Sequence, residues 1–202
     1  MLIGKWNRSV VLTYLSVAAC VFGIVSCLVW QNLNWACVYL VLAGIFDVFD
    51  GKVARSMKRT EQDKAFGIEL DSLADTLSFI ALPIVICISS GFDAWYLFLA
   101  LIWFAICGIA RLAHFNTLAA EEDGPVKYYH GLPVTFTALI LPIVYLLIRN
   151  MPAVSIQYIL VSTLLIIGCL NVIDFKMPKP KGPVFYTFIA VIAVVIIGVL
   201  LA

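Results

Sequence analysis

The stretch from Asp47 to Asp75, DVFDGKVARSMKRTEQDKAFGIELDSLAD, sets four carboxylates between apolar segments long enough to cross a bilayer. Few sequence features restrict a fold so tightly. Hydrocarbon admits only helices or closed barrels, and uncompensated acids near it are costly. At about 100° per residue, Asp47, Asp50, Gly51, Ala54 and Arg55 share one face of a first helix. Gly67, Asp71, Asp75 and Ser78 share a narrow face of a second. Within each helix the two acids stand one turn apart. Where those faces meet, four carboxylates converge on one small volume.

Such a cluster needs compensation: either several carboxyls keep their protons or cations neutralise them. Lys52 and Arg55 supply too little positive charge nearby. The ligands are all hard oxygens, with no Cys or His in the run, so Mg²⁺, Mn²⁺ or Ca²⁺ fits and Zn²⁺ does not. Two ions suit a cluster of this size, and paired ions suit phosphoryl chemistry. Gly51, Ala54 and Gly67 leave room beside the acids for a bulky ligand to approach the backbone. An isolated Asp at the end of a span reads as a solvated interfacial residue. Eight residues at fixed spacing do not.

The order Asp-x-x-Asp-Gly-x-x-Ala-Arg, then Gly-x-x-x-Asp-x-x-x-Asp, resembles the signature of the CDP-alcohol phosphatidyltransferases. Asp47, Asp50, Gly51, Ala54, Arg55, Gly67, Asp71 and Asp75 match it position by position. Eleven residues separate Arg55 from Gly67, where the commoner family spacing is shorter. A polar loop there leaves the helical phase undisturbed, and Lys58–Lys64 reads as a solvated loop touching anionic headgroups. The resemblance implies an all-α, polytopic membrane bundle with a six-helix core, and a homodimer. It implies that a phosphatidyl group passes from a CDP-lipid to an alcohol, releasing CMP. Asp47, Asp50, Asp71 and Asp75 are then metal ligands, with Asp75 also the general base. Asp47, Gly51, Ala54, Arg55 and Gly67 bind the nucleotide of the CDP-lipid.

Composition supports the membrane reading: 63% of the 202 residues are hydrophobic and 12% charged. The length suits one domain over residues 1–202. Seven apolar spans are expected, near 10–30, 34–56, 67–90, 94–119, 131–149, 154–173 and 183–202. Lys5 and Arg8 before an apolar run imitate a signal peptide, but that run is long enough to span. The six cysteines lie in apolar segments without a C-x-x-C pair and read as small membrane hydrophobes. With the N-terminus inside, nearly all Lys and Arg fall on the inner side and Arg149 alone in an outer loop. The acids then lie at the cytoplasmic end of spans two and three. The expected location is a prokaryotic plasma membrane. Trp30, Trp35, Trp95 and Tyr96 read as outer anchors, and Trp103 as deeper packing.

The fourth span and its loop, IARLAHFN and then KYYHGLP, resemble the serine-transferring branch of the family. That points to CDP-diacylglycerol and L-serine as substrates, with no nucleic-acid partner. Arg111 is an intramembrane cation, expensive unless paired. Its planar fork suits the serine carboxylate, and it suits an acid or carbonyl of the protein equally well. Asn116 joins it as an acceptor-binding candidate, with Lys127 and His130 behind. His114 and His130 read more simply as packing or surface residues. The rivals are the same chemistry on glycerol 3-phosphate or inositol phosphate, and a membrane cation transporter. The clustering of the acids at one end, rather than at the midplane, argues against transport.

Overall fold

Apolar runs of 18 to 25 residues close their own backbone hydrogen bonds as helices, which is what hydrocarbon demands. The computed structural model describes residues 3–91, 94–121, 128–178 and 197–199. A 3₁₀ turn at Arg8–Val10 leads into α1 (Val11–Leu28), followed by α2 (Leu33–Arg55). Next, α3 (Glu61–Asp75) runs through a wide π-helical segment, Thr76–Ala81, into α4 (Leu82–Ser89). Then come α5 (Leu97–Glu121), a 3₁₀ turn at Val134–Phe136, α6 (Thr137–Ile148) and α7 (Ala153–Val172). Six helical segments result, at the positions of the first six spans expected from the sequence. Only residues 197–199 of the seventh are among those described.

Four of these helices are long and apolar enough to cross a membrane. The α2 helix has the length but carries Asp47, Asp50, Lys52 and Arg55 at its end. The segment Val134–Ile148 is about 22 Å long, shorter than the roughly 30 Å of a bilayer's hydrocarbon core. Large apolar side chains such as Phe22, Ile102, Ile106 and Leu147 point outward, where lipid is the solvent. Trp103 belongs with them at 44% exposure, not to the interior as expected.

Lipid gives helices no hydrophobic reason to associate, so close contact of small side chains holds them. Running from the 3₁₀ turn along α1, a buried seam of Ser9, Thr13, Ser16, Cys20, Gly23 and Cys27 packs against α2 and against the π segment and α4. Its 4-3-4-3-4 spacing is that of a helix–helix contact line. Gly44 of α2 lies so close to α6 that a Cβ there would sit 2.9 Å from the Ala138 Cβ. The second large contact, α5 on α7, brings Gly168 against the Phe104 backbone.

The π segment follows from Pro83. Proline has no N–H for the turn before it, and the Leu82 N–H bonds the Leu77 carbonyl, five residues back. That carbonyl also accepts from the Cys20 thiol at 3.3 Å. Ser78, fully buried, meets the Ser16 hydroxyl of α1 at 3.4 Å.

The stretch Lys58–Lys64 is a loop only as far as Thr60, which corrects the sequence expectation. Thr60 caps α3 reciprocally: its hydroxyl accepts from the Asp63 N–H at 3.1 Å, and Asp63 accepts from the Thr60 N–H at 3.1 Å. Asp63 also pairs with Lys5 at 3.1 Å, tying the N-terminal segment to the start of α3.

At the same end of the spans, β1 (Tyr128–His130) pairs antiparallel with β2 (Lys176–Pro178). Gly131 follows at φ +69°, a left-handed conformation natural to glycine. Its N–H bonds the Phe175 carbonyl, and the Leu132 N–H bonds the Leu170 carbonyl, each at 3.0 Å. The Gly-Leu-Pro sequence therefore clamps the loop to the end of α7.

Candidate active site

The last turns of α2 and the second half of α3 run antiparallel and face each other. Asp47 lies within hydrogen-bonding range of Asp75, and Asp50 of Asp71. Carboxylate oxygens of Asp47, Asp71 and Asp75 all fall within 4.8 Å of one another, close enough to hold one cation. Both helix faces read from the sequence thus meet. Asp75 is 9% exposed and Asp50 7%, so mutual repulsion is poorly screened there. The donor set is oxygen only, which fits a hard divalent cation.

Asp50 stands beside this trio rather than in it. Its Oδ2 accepts from the Thr13 hydroxyl of α1 at 2.8 Å, and both residues are buried. Sequence reasoning missed Thr13, although the small-residue seam of α1 points to it.

Outward from the acids opens a cavity of about 190 Å³ between α1, α2 and α3. Asp50, Gly51, Ala54, Arg55, Gly67 and Asp71 line it, with Ser9, Val10, Thr13, Arg59 and Ile68. Six of the eight motif residues are therefore wall residues of one space. Asp47 and Asp75 are not among the lining residues. The facing pairs Asp47–Asp75 and Asp50–Asp71 set Ala54 level with Gly67, one turn outward. Arg55 folds back over Gly51, its Nη1 3.3 Å from where a Cβ would be.

The acceptor candidates lie on α5. Asn116 donates from Nδ2 to the Ser72 hydroxyl at 2.7 Å, beside Asp71. Gly108 lies against Ile80. Those two contacts fix the antiparallel register of α5 on α3 and its π extension. Arg111 is consequently level with Leu77, two residues past Asp75. It is 8% exposed, with its guanidinium 5.6 Å from the Phe115 ring centroid. His130 pairs with Asp174 at 2.8 Å on the exposed surface, and His114 is also exposed. Lys127 lies outside the described residues.

The helices and the aspartates together mark an integral membrane protein with an acidic, oxygen-only centre at one end of its helices. The chain belongs to the CDP-alcohol phosphatidyltransferase family, whose family model matches residues 6–201. That family is divalent-metal dependent, which suits the acidic trio. The CDP-diacylglycerol–serine O-phosphatidyltransferase of Saccharomyces cerevisiae is 38% identical over 136 residues, 61% of this chain and 48% of the yeast protein. The archaetidylserine synthase of Methanothermobacter thermautotrophicus is 37% identical over 116 residues, 57% of this chain and 48% of that one. A CDP-diacylglycerol–serine O-phosphatidyltransferase of Methanocaldococcus jannaschii is 34% identical over 167 residues, 82% of this chain and 74% of that protein. The chain thus spans about half the length of the first two relatives.

Proposed function

We propose that this chain transfers the phosphatidyl group of CDP-diacylglycerol to L-serine, giving phosphatidylserine and CMP. The observation that carries the reading is the meeting of the α2 and α3 aspartates beside a cavity walled by Gly51, Ala54 and Gly67. The serine-transferring names of the three relatives support the acceptor.

In this reading Asp47, Asp50 and Asp71 hold two Mg²⁺ or Mn²⁺ ions, with Asp75 completing the set. When bound, the ions neutralise the diphosphate and polarise the attacked phosphorus. Gly51, Ala54 and Gly67 admit the nucleoside, and Arg55 faces its phosphates. Asp75, at the buried end, takes the proton from the serine hydroxyl as its oxygen attacks the lipid-linked phosphorus. The bond to the CMP phosphate breaks, and CMP leaves through the open end of the cavity. Arg111 receives the serine carboxylate as a bidentate pair. The Asn116 amide is engaged with Ser72, which leaves its carbonyl oxygen for the serine ammonium.

The site faces the cytoplasm of a plasma-membrane protein in this reading. Lys5, Arg8, Lys52, Arg55, Lys58, Arg59, Lys64 and Lys176 gather at its end of the bundle, and Arg149 lies at the other. The homodimer implied by the family resemblance belongs to the same reading.

The test is CMP release by purified protein in detergent with CDP-diacylglycerol and Mn²⁺ or Mg²⁺. Serine, glycerol 3-phosphate and inositol phosphate are offered separately. Serine-dependent release that chelator abolishes is expected. Release with another acceptor keeps the aspartate roles and discards the Arg111–serine pairing. No release with any acceptor overturns the reading.

A further inference from the structure

Of the cavity-wall residues outside the motif (Ser9, Val10, Thr13, Arg59 and Ile68), Arg59 is the charged one. It closes the short loop Ser56–Thr60 and is half-buried. Thr60 immediately after it is locked by its reciprocal bonds with Asp63. The acids nearest in sequence are committed elsewhere: Asp63 to Thr60 and Lys5, Glu61 to Lys64. Among the described residues no ion pair includes Arg59. Its guanidinium instead lies over Gly67, with Nη1 3.8 Å from the point a Cβ would occupy.

Its depth decides what it can touch. Gly67 is level with Ala54, one turn (about 5 Å) outward of Asp71. Arg55 covers the level of Gly51, next to the acids and hence next to a diphosphate held there. Arg59 therefore faces the outer end of the same ligand, the nucleoside. Cytosine presents two adjacent acceptors, O2 and N3, on its pairing edge. In uracil N3 carries a proton and repels a donor. A guanidinium offers two parallel N–H donors in a fixed fork, matched to cytosine and mismatched to uracil.

Resting on the proposed function, we infer that Arg59 is a specificity-determining residue that reads the cytosine base of the nucleotide substrate from the outer end of the cavity. One good bidentate contact to a base discriminates by roughly five- to 150-fold. The lysine substitute keeps the charge and loses the fork.

The test measures binding of CMP and of UMP, with Mg²⁺ present, to the detergent-solubilised full chain. The readout is the nucleotide concentration giving half of the maximal rise in melting temperature. Wild type should prefer CMP by about tenfold or more. Both R59K and R59A should reduce that preference to about threefold or less, with R59K keeping the unliganded melting temperature. Equal weakening of CMP and UMP in R59A would make Arg59 a phosphate contact and overturn the inference. An unchanged CMP preference in both variants overturns it as well. A wild-type protein that binds CMP and UMP alike removes base reading by Arg59 and leaves the transfer reaction standing. A wild-type protein that binds neither removes the nucleotide reading itself, and this inference with it.

Discussion

Thr13→Val removes the hydrogen bond by which α1 reaches the acids. The substitution exchanges a hydroxyl for a methyl of the same shape, so the buried seam against α2 stays filled. What is lost is the 2.8 Å hydrogen bond to Asp50 Oδ2. A hydrogen bond to an ionised group in a buried setting contributes about 2 kcal/mol. Asp50 has further neighbours in Asp71 and the Gly51 N–H, but neither comes from α1. Without Thr13 the carboxylate is free to rotate out of the orientation that the proposed reading requires of a cation ligand. If the full 2 kcal/mol is spent on orientation, cation affinity falls by roughly thirtyfold, within the range seen when a partner of a metal ligand is removed. The assay is a Mn²⁺ titration of serine-dependent CMP release, with Thr13→Ser beside it. Thr13→Val should raise the half-saturating Mn²⁺ concentration by at least about tenfold, and Thr13→Ser by less than about threefold. A Thr13→Val protein with the wild-type Mn²⁺ dependence would refute the reasoning. So would a Thr13→Ser protein as impaired as Thr13→Val, since that would indicate a packing effect.

Asp75→Asn should lower CMP release by roughly 10²- to 10⁴-fold while leaving CMP binding measurable by thermal shift. Arg111→Lys should raise the apparent serine constant by roughly tenfold or more without altering that for CDP-diacylglycerol, because the bidentate fork is lost but the donor-lipid site is untouched. Unchanged serine kinetics removes Arg111 from the acceptor site. Gly131→Ala should destabilise by about 3 kcal/mol, read as a lower melting temperature in detergent. The added Cβ would meet the Asn171 carbonyl at 2.8 Å and the Ile173 carbonyl at 3.1 Å, in a left-handed backbone. Gly67→Leu should weaken CMP binding by filling the cavity under Arg59, with the fold intact.

The aspartate faces were legible because helix periodicity is rigid and acids in an apolar chain have few innocent explanations. Span positions were legible for a related reason: hydrocarbon leaves helices as the local solution. Thr13 was hidden because a single Thr in an apolar span is unremarkable by itself. Only the 3.5-residue spacing of Ser9, Thr13, Ser16, Cys20, Gly23 and Cys27 marks that face, and it marks packing before chemistry. The polar run Glu61–Lys64 hides the start of α3 from hydropathy, although Thr60-x-x-Asp63 is the signature of a helix cap. The same polarity makes Arg59 read as a solvated residue. The π segment has a visible trigger in Pro83, but its exact position depends on α1, whose Cys20 shares the Leu77 carbonyl. Gly131-Leu132-Pro133 enters the sequence reading only as a mark of the serine-transferring branch. Its backbone bonds to Leu170 and Phe175 depend on tertiary contact with α7, which no local pattern encodes.

The central claim is that one acidic site between α2 and α3 joins a phosphatidyl group to serine. Mass spectrometry of the lipid made from CDP-diacylglycerol and isotope-labelled L-serine tests it most directly, with wild-type protein and Asp75→Asn run together. Wild-type protein should yield labelled phosphatidylserine in a metal-dependent way, and Asp75→Asn at least about a hundredfold less. Label in no lipid from active, metal-loaded wild-type protein would contradict it, as would equal labelling by Asp75→Asn.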